Sequence, residues 1–233
     1  MDNTICLIQI PLHQAGLGNS VMATLAERRF AGHTLLEWMV RRVMDVQRAD
    51  QIVVVVSRQD AVLCDVQQLP PDVSLLIVDE NDRLKQVCCA LKKYPARGVI
   101  RVSVDNPFVD PVLIDRLIVA AEENVACDYI GYCFGDGRPV LHSRLGVFTD
   151  WCLAQTLMEM DEKIVDPKIR RNATQYVCSH PETFCLRLIP VPPELDRDDL
   201  HFTDDDDWER IQEIFEVLGP DDIDSQRIAS LLS

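Results

Sequence analysis

Residues 98–118 read GVIRVSVDNPFVDPVLIDRLI. Val99, Ile100, Val102 and Val104 form the β-branched run of a buried strand, and Asp105-Asn106-Pro107 stops it. Asp110-Pro111 then opens a helix whose apolar positions, Leu113, Ile114, Leu117 and Ile118, share one face. Asp105 is therefore expected at the carboxyl end of a strand. In open α/β sheets that edge is where ligands bind, so a carboxylate there can hold a divalent metal and, through it, a polyphosphate. Asp before Asn-Pro is equally at home as a turn former or helix cap. Both readings stand on this segment alone.

Working outward, the same alternation recurs. Thr4 to Ile10 reads as a first buried strand, followed by a glycine-bearing loop, HQAGLGNSV. His33 to Val46 carries Leu35, Leu36, Met39, Val40 and Val43 at amphipathic-helix spacing. Gln51 to Ser57, with IVVVV at its centre, is a fully buried strand of the kind parallel sheets use. Helices over 59–68 and 83–93 bracket a strand over 74–78. Strand and helix taking turns in this way predict a parallel α/β sandwich with right-handed crossovers. The later half is less regular: strands over 128–133, 143–148 and 184–191, a helix over 150–160 and another within 164–180. Beyond these, Leu200 to Thr203 reads as a last strand, ahead of helices over 208–217 and 221–232.

The chain has 233 residues, 47% of them hydrophobic, which is enough core for one large α/β domain, and no Ser/Gly-rich linker divides it. A single domain over 1–233 is expected. A formal charge of −15 argues against general attraction to nucleic acid or an anionic membrane. Any phosphate-bearing ligand must be met by local cations, backbone amides or a metal. The nine cysteines form no CxxC pair and fall mostly in apolar patterns, as small buried hydrophobes of a reducing compartment do. No signal-peptide pattern or membrane-length apolar run is present, so a cytoplasmic location is expected. The five histidines show no metal-ligand spacing.

Two further stretches bear on chemistry. The loop AGLGNS (Gly16, Gly18, Asn19, Ser20) follows a strand, as a phosphate-binding loop does, but matches neither standard nucleotide fingerprint, and a simple connection reads as well. Asp204 to Asp207 offers four carboxylates that could ligate Mg²⁺, or could serve as a solvated cap favouring a helix N-terminus.

Taken in order, the glycine-bearing loop, LLEWMVRRV, QIVVVVS, RVSVDNPFVDPVLIDRLI, YVCSHPETF and FTDDDDWERI resemble the cytidylyltransferase-like enzymes of spore-coat polysaccharide biosynthesis. These are relatives of the CMP-sugar synthetases among the nucleotidyltransferases, and the resemblance runs over nearly the whole chain. It implies a Rossmann-like three-layer α/β sandwich with a mixed, mostly parallel sheet, of the nucleotide-diphospho-sugar transferase type. It also implies CTP and Mg²⁺ at the carboxyl edge, a sugar as acceptor and pyrophosphate as leaving group, with a homodimer left open. Carried over residue by residue, Asp105 takes the place of a metal-binding aspartate, Arg101 that of a basic site position on the same strand, and Asn106 that of a turn residue beside the nucleotide. Gly16, Gly18, Asn19 and Ser20 take the nucleotide loop. Asp204 becomes the second metal carboxylate after a one-residue shift, since an ungapped alignment puts Thr203 there.

The chain also departs from that family. A first loop like RxGSxRLPGK is replaced by HQAGLGNSVMATLAERR, whose nearest cations are Arg28 and Arg29. Gln86 stands where a basic residue is expected, Arg170-Arg171-Asn172 where Arg-Glu-His is expected, and a glutamate expected near Gly146 is missing. Two readings follow: a cytidylyltransferase using Asp105, Arg101 and Asp204, or a catalytically degenerate relative that binds a nucleotide, sugar or protein partner.

Overall fold

The structure is a computed structural model that describes residues 3–10, 29–30, 32–61, 69–103, 108–140, 147–196, 214, 216–218 and 224–231. Its strands are β1 (Thr4–Ile10), β2 (Arg29–Phe30), β3 (His33–Thr34), β4 (Gln51–Ser57), β5 (Val73–Val78), β6 (Gly98–Ser103), β7 (Tyr129–Cys133), β8 (Trp151–Leu153) and β9 (Leu186–Pro190). The helices are α1 (Leu35–Met44), α2 (Arg58–Ala61), α3 (Arg83–Lys93), α4 (Pro111–Glu123), α5 (Ala154–Lys163), α6 (Pro167–Arg171), α7 (Ala173–Cys178) and α8 (Ser225–Leu231).

Seven strands make one sheet in the order β5-β4-β1-β6-β8-β7-β9, and β2 pairs with β3 in a short hairpin. Every neighbouring pair in the large sheet is parallel except those of β8, which runs antiparallel to both β6 and β7. The expected mixed, mostly parallel sheet is thus what forms. β1 is the hub, with Leu7 in register with Val53 of β4 on one side and Arg101 of β6 on the other. All seven β1 residues are buried, as a central strand covered on both faces requires.

Side chains alternate between two cores. Cys6, Ile8, Val54, Ile100 and Val102 join α1 and α4 through Met39, Val43, Ile114 and Leu117. Ile5, Leu7, Val53, Val55 and Val99 join α3, α5 and α7 through Leu84, Val87, Leu157 and Val177. Helices on both faces make the third and first layers of a sandwich. Local chemistry sets the helix starts: Thr34 and Glu37 form a reciprocal capping box on α1, and Asp110 caps α4 by accepting from Val112 N–H at 2.8 Å with Pro111 just inside.

The structure differs from the sequence expectation in the later half. The helix expected over 150–160 begins only at Ala154, because Trp151–Leu153 is taken by β8, whose backbone pairs with β6 and β7. Trp151 is fully buried there, its indole donating to Thr4 Oγ1 at 3.0 Å. Gly98 is required beneath it, since a Cβ would lie 2.2 Å from the indole. Val147 and Phe148, the described end of the strand expected over 143–148, are irregular, and the helix expected within 164–180 is two short ones separated by Asn172. The expected strand over 200–203 lies outside the described residues. No helix among the described residues is long and apolar enough to cross a membrane.

Candidate functional site

On the α3 side of the sheet, three adjacent parallel strands change character in their last residues. Ile5 and Leu7 give way to Gln9, Val53 and Val55 to Ser57, and Val99 to Arg101 and Ser103. Period-two alternation puts each series on one face, so the carboxyl edge of an otherwise apolar core is lined with polar groups. Gln9 and Ser103 are register partners on β1 and β6. The chain proceeds from β1 outward to β4 and β5, then returns across to β6. The β1/β6 gap is therefore where the winding reverses, the usual ligand crevice of such sheets.

The polar groups differ in how well they are satisfied. Gln9 Nε2 donates to the Arg83 carbonyl at 3.0 Å and to Gln86 Oε1 at 3.2 Å, while Gln86 Nε2 donates to the Glu80 carbonyl at 2.8 Å. Ser57 Oγ accepts from Asp60 N–H at 3.0 Å, starting α2. Two buried atoms at the edge, Arg101 Nε and Ser103 Oγ, have no hydrogen-bond partner among the described residues. Buried donors normally find partners, and those that do not mark a place where something else can bind.

Arg101 is held rather than free to swing. Its Nη2 donates to Thr174 Oγ1 of α7 at 3.3 Å, and the Thr174 hydroxyl in turn hydrogen-bonds the buried Asp150 carboxyl, as does the Tyr129 hydroxyl. Burial raises the Asp150 pKa above the ordinary carboxylate range; Arg101 and the two hydroxyls oppose that rise without cancelling it. The Arg101 carbonyl accepts from Thr149 Oγ1 at 2.7 Å, so the irregular stretch before β8 is tied to β6 by side chain and backbone.

Of the residues singled out from sequence, Arg101 is the one the structure describes, half-buried at the edge. Gly16, Gly18, Asn19, Ser20, Asp105, Asn106 and Asp204 lie outside the described residues. Chain order puts the glycine loop directly after β1 and Asp105 two residues after β6. Beyond residues 104–107, Phe108 and Val109 are fully buried, and Arg42 of α1 holds them, with Nε on the Val109 carbonyl at 2.7 Å. No cluster of three or more His, Cys, Asp or Glu residues able to hold a metal occurs among the described residues. Gln9, Arg101 and Ser103 are a hydrogen-bonding set suited to phosphate, sugar or base and not to a cation.

Sequence reasoning missed Gln9, Ser103, Asp150 and Thr174. The first two were signalled by polar residues breaking the apolar alternation at strand ends. Asp150 had no such signal, because it sits in an irregular stretch that read as a helix start. The departure at 86 gains an explanation, and so does the arginine kept at 170. Gln86 is spent on Gln9 and Glu80, and Arg170 is an internal tie, ion-paired to Asp82 and Asp161. Arg29 is exposed and donates to the Gly32 carbonyl at 3.0 Å.

Comparison with known proteins agrees with this geometry. The model of the MobA-like NTP transferase domain matches residues 25–184. The chain is 21% identical over 242 residues to the spore coat polysaccharide biosynthesis protein SpsF of Bacillus subtilis, covering 100% of this chain and 95% of that protein. Among solved structures it is similar to a cytidylyltransferase from Leptospira borgpetersenii, with TM-score 0.77 and 16% identity over 99% of this chain and 92% of that one. A CMP:2-keto-3-deoxy-manno-octonic acid synthetase complexed with CTP also shares the fold, with TM-score 0.65 and 8% identity over 92% of this chain and 99% of that one.

Proposed function

Since the chain belongs to the MobA-like NTP transferase domain family, we propose that it transfers CMP from CTP to a sugar in surface or spore-coat polysaccharide biosynthesis, releasing pyrophosphate. The observation that carries this reading is the pair of buried donors without a partner among the described residues, Arg101 Nε and Ser103 Oγ, beside Gln9 where the sheet reverses its winding. The names of the two structural neighbours support cytidylyl chemistry on this fold, and that of the SpsF relative supports a place in spore-coat polysaccharide biosynthesis.

In this reading the loop bearing Gly16, Gly18, Asn19 and Ser20 lies along the nucleotide, and Asn106 borders it from the β6 turn. Arg101, held by Thr174, presents a fixed cation, and Ser103 a donor, to the phosphate or ribose oxygens. Asp105 and Asp204 would hold Mg²⁺, which would neutralise charge on the triphosphate when bound. The sugar hydroxyl oxygen bonds to the α-phosphorus as the bond to the bridging oxygen breaks, and the hydroxyl proton goes to solvent. Catalysis of this kind is mostly positioning and charge stabilisation.

The missing first-loop cations favour a second reading, a relative that binds without turnover. Pyrophosphate release from CTP with a panel of sugars, with and without Mg²⁺, separates the two. Calorimetry adds the binding step: CTP affinity is expected to be weak and strongly Mg²⁺-dependent, because the metal must supply most of the neutralisation. Asp105→Ala should remove the Mg²⁺-dependent part, and Arg28→Ala and Arg29→Ala report whether either cation meets the phosphates. Tight metal-free binding refutes the electrostatic need for the metal, and no CTP binding under any condition refutes the enzyme reading.

A further inference from the structure

Two thiols meet at the opposite, amino edge of the sheet. Cys127 precedes β7 and Cys185 precedes β9, the parallel pair that closes the sheet, and their Sγ atoms stand 3.7 Å apart. Both backbones are fixed: the N–H groups of Asp128 and Tyr129 donate to the Cys185 carbonyl at 2.8 and 3.3 Å, and Cys127 N–H donates to the Asn124 carbonyl at 3.1 Å. Cys185 N–H donates to Asp128 Oδ2 at 2.8 Å, and the other oxygen of that carboxylate accepts from Thr156 Oγ1. Cys127 is buried and Cys185 exposed, so one thiol can meet a reagent and the other waits behind it.

We propose that Cys127 and Cys185 form a reversible disulfide, made by exchange with a small-molecule disulfide, that staples edge strand β9 to β7. The inference stands apart from the nucleotide reading. The exposed Cys185 thiol loses its proton to solvent and attacks one sulfur of the external disulfide. A mixed S–S bond forms, the external S–S bond breaks, and one small thiolate leaves and takes a proton. Cys127, its own proton lost to water, then attacks Cys185 Sγ and displaces the second small thiol. Two protein thiols are oxidised to one disulfide, and the external disulfide is reduced to two thiols. Closing a 3.7 Å contact to a bond of about 2.0 Å asks for side-chain rotation and a small shift of the Cys185 end.

Burial raises the Cys127 thiol to about 11, the hydrogen bond and charge of Cys185 and the charge of Asp128 add to that rise, and Arg187 opposes it. The staple spans 58 positions of chain and so restricts the unfolded state strongly, which should raise the melting temperature by roughly 10 °C. It also fixes one wall of a cavity of about 520 Å³ lined by Asp128, Thr156, Met160, Tyr176, Thr183 and Phe184.

The test uses the full reduced chain, incubated with oxidised glutathione, blocked at remaining thiols, digested and mapped by mass spectrometry, with melting followed in parallel. The expected result is a peptide linking Cys127 to Cys185 and a melting gain that dithiothreitol reverses. Cys185→Ser, at an exposed site, should keep the reduced melting temperature and lose both signals. Cys127→Ala should trap one glutathione on Cys185, because the resolving thiol is gone. Oxidation that leaves both thiols free, or links other cysteines, overturns the proposal. A Cys127–Cys185 link that leaves melting unchanged overturns the staple. No nucleotide enters either readout, so failure of the CTP experiments leaves this outcome unaffected.

Discussion

Arg101 brings a permanent charge into the α3-side core, and Asp150 is its counterweight through Thr174. A buried pair stripped of one member leaves an uncompensated charge, which costs about 3–5 kcal/mol. Asp150 can limit that cost by keeping a proton, because its pKa is raised in the fold. The sign follows directly. Between the ordinary aspartate value near ~4 and the raised folded value, the folded chain holds a proton that the unfolded chain has lost. The contribution of Asp150 is therefore most favourable below that window and declines as pH rises through it. Arg101→Met is expected to destabilise the protein by about 3 kcal/mol near neutral pH and by less in mild acid. Adding Asp150→Asn, which keeps a hydrogen-bonding group for Thr174 and Tyr129, should restore most of the loss. Urea unfolding of the four proteins across pH measures it; a double variant as weak as Arg101→Met shows that the two residues are not coupled.

The elements that sequence made legible are those whose residues carry the reason for their own conformation. β1, β4 and β6 are β-branched runs buried on both faces, and α4 announces itself through Asp110, Pro111 and four apolar positions on one face. β8 was illegible because its three residues gain strand form only from the backbones of β6 and β7, a tertiary effect that no local pattern records. The site divides likewise. Arg101 could be named from its strand and the family resemblance, whereas its tie to Asp150 needs α7 and the irregular stretch before β8 to arrive from far along the chain. Arg170, noted in sequence only within the stretch standing where Arg-Glu-His is expected, binds α6 to the start of α3 through Asp82 and to α5 through Asp161, which Lys85 also meets at 3.1 Å. Burial acts to raise the Asp161 pKa, but the hydrogen bonds from Arg170 and Lys85 outweigh it and the net shift is downward. A lowered acid stabilises the fold above its unfolded pKa, and that stabilisation is lost as pH falls through the unfolded value towards the folded one. Arg170→Ala should thus cost about 3 kcal/mol at neutral pH and move acid unfolding to higher pH. Circular dichroism through an acid titration tests this, and an unchanged acid midpoint would show that the three-helix tie contributes nothing.

The whole molecule sets a different constraint on the site. A net charge of −15 surrounds an edge that includes the half-buried Arg101, and under the proposed function free CTP would arrive with several negative charges of its own. Added salt weakens attraction at most phosphate-binding proteins, because it screens opposite charges. Here the long-range term is repulsive, so screening should help the ligand in. Raising ionic strength from ~0.05 to ~0.3 M shortens the Debye length to well under the width of the domain and should speed association of metal-free CTP. With Mg²⁺ bound, the nucleotide loses roughly half its charge, and the same salt change should have a smaller effect. Stopped-flow association rates at several salt concentrations, with Mg²⁺ and with a chelator, give both slopes. A rate that falls with salt in the chelated series would mean that local cations at the site, Arg101 among them, outweigh the field of the rest of the chain. The electrostatic need for Mg²⁺ would then fail, even if catalysis still used the metal to orient the phosphates.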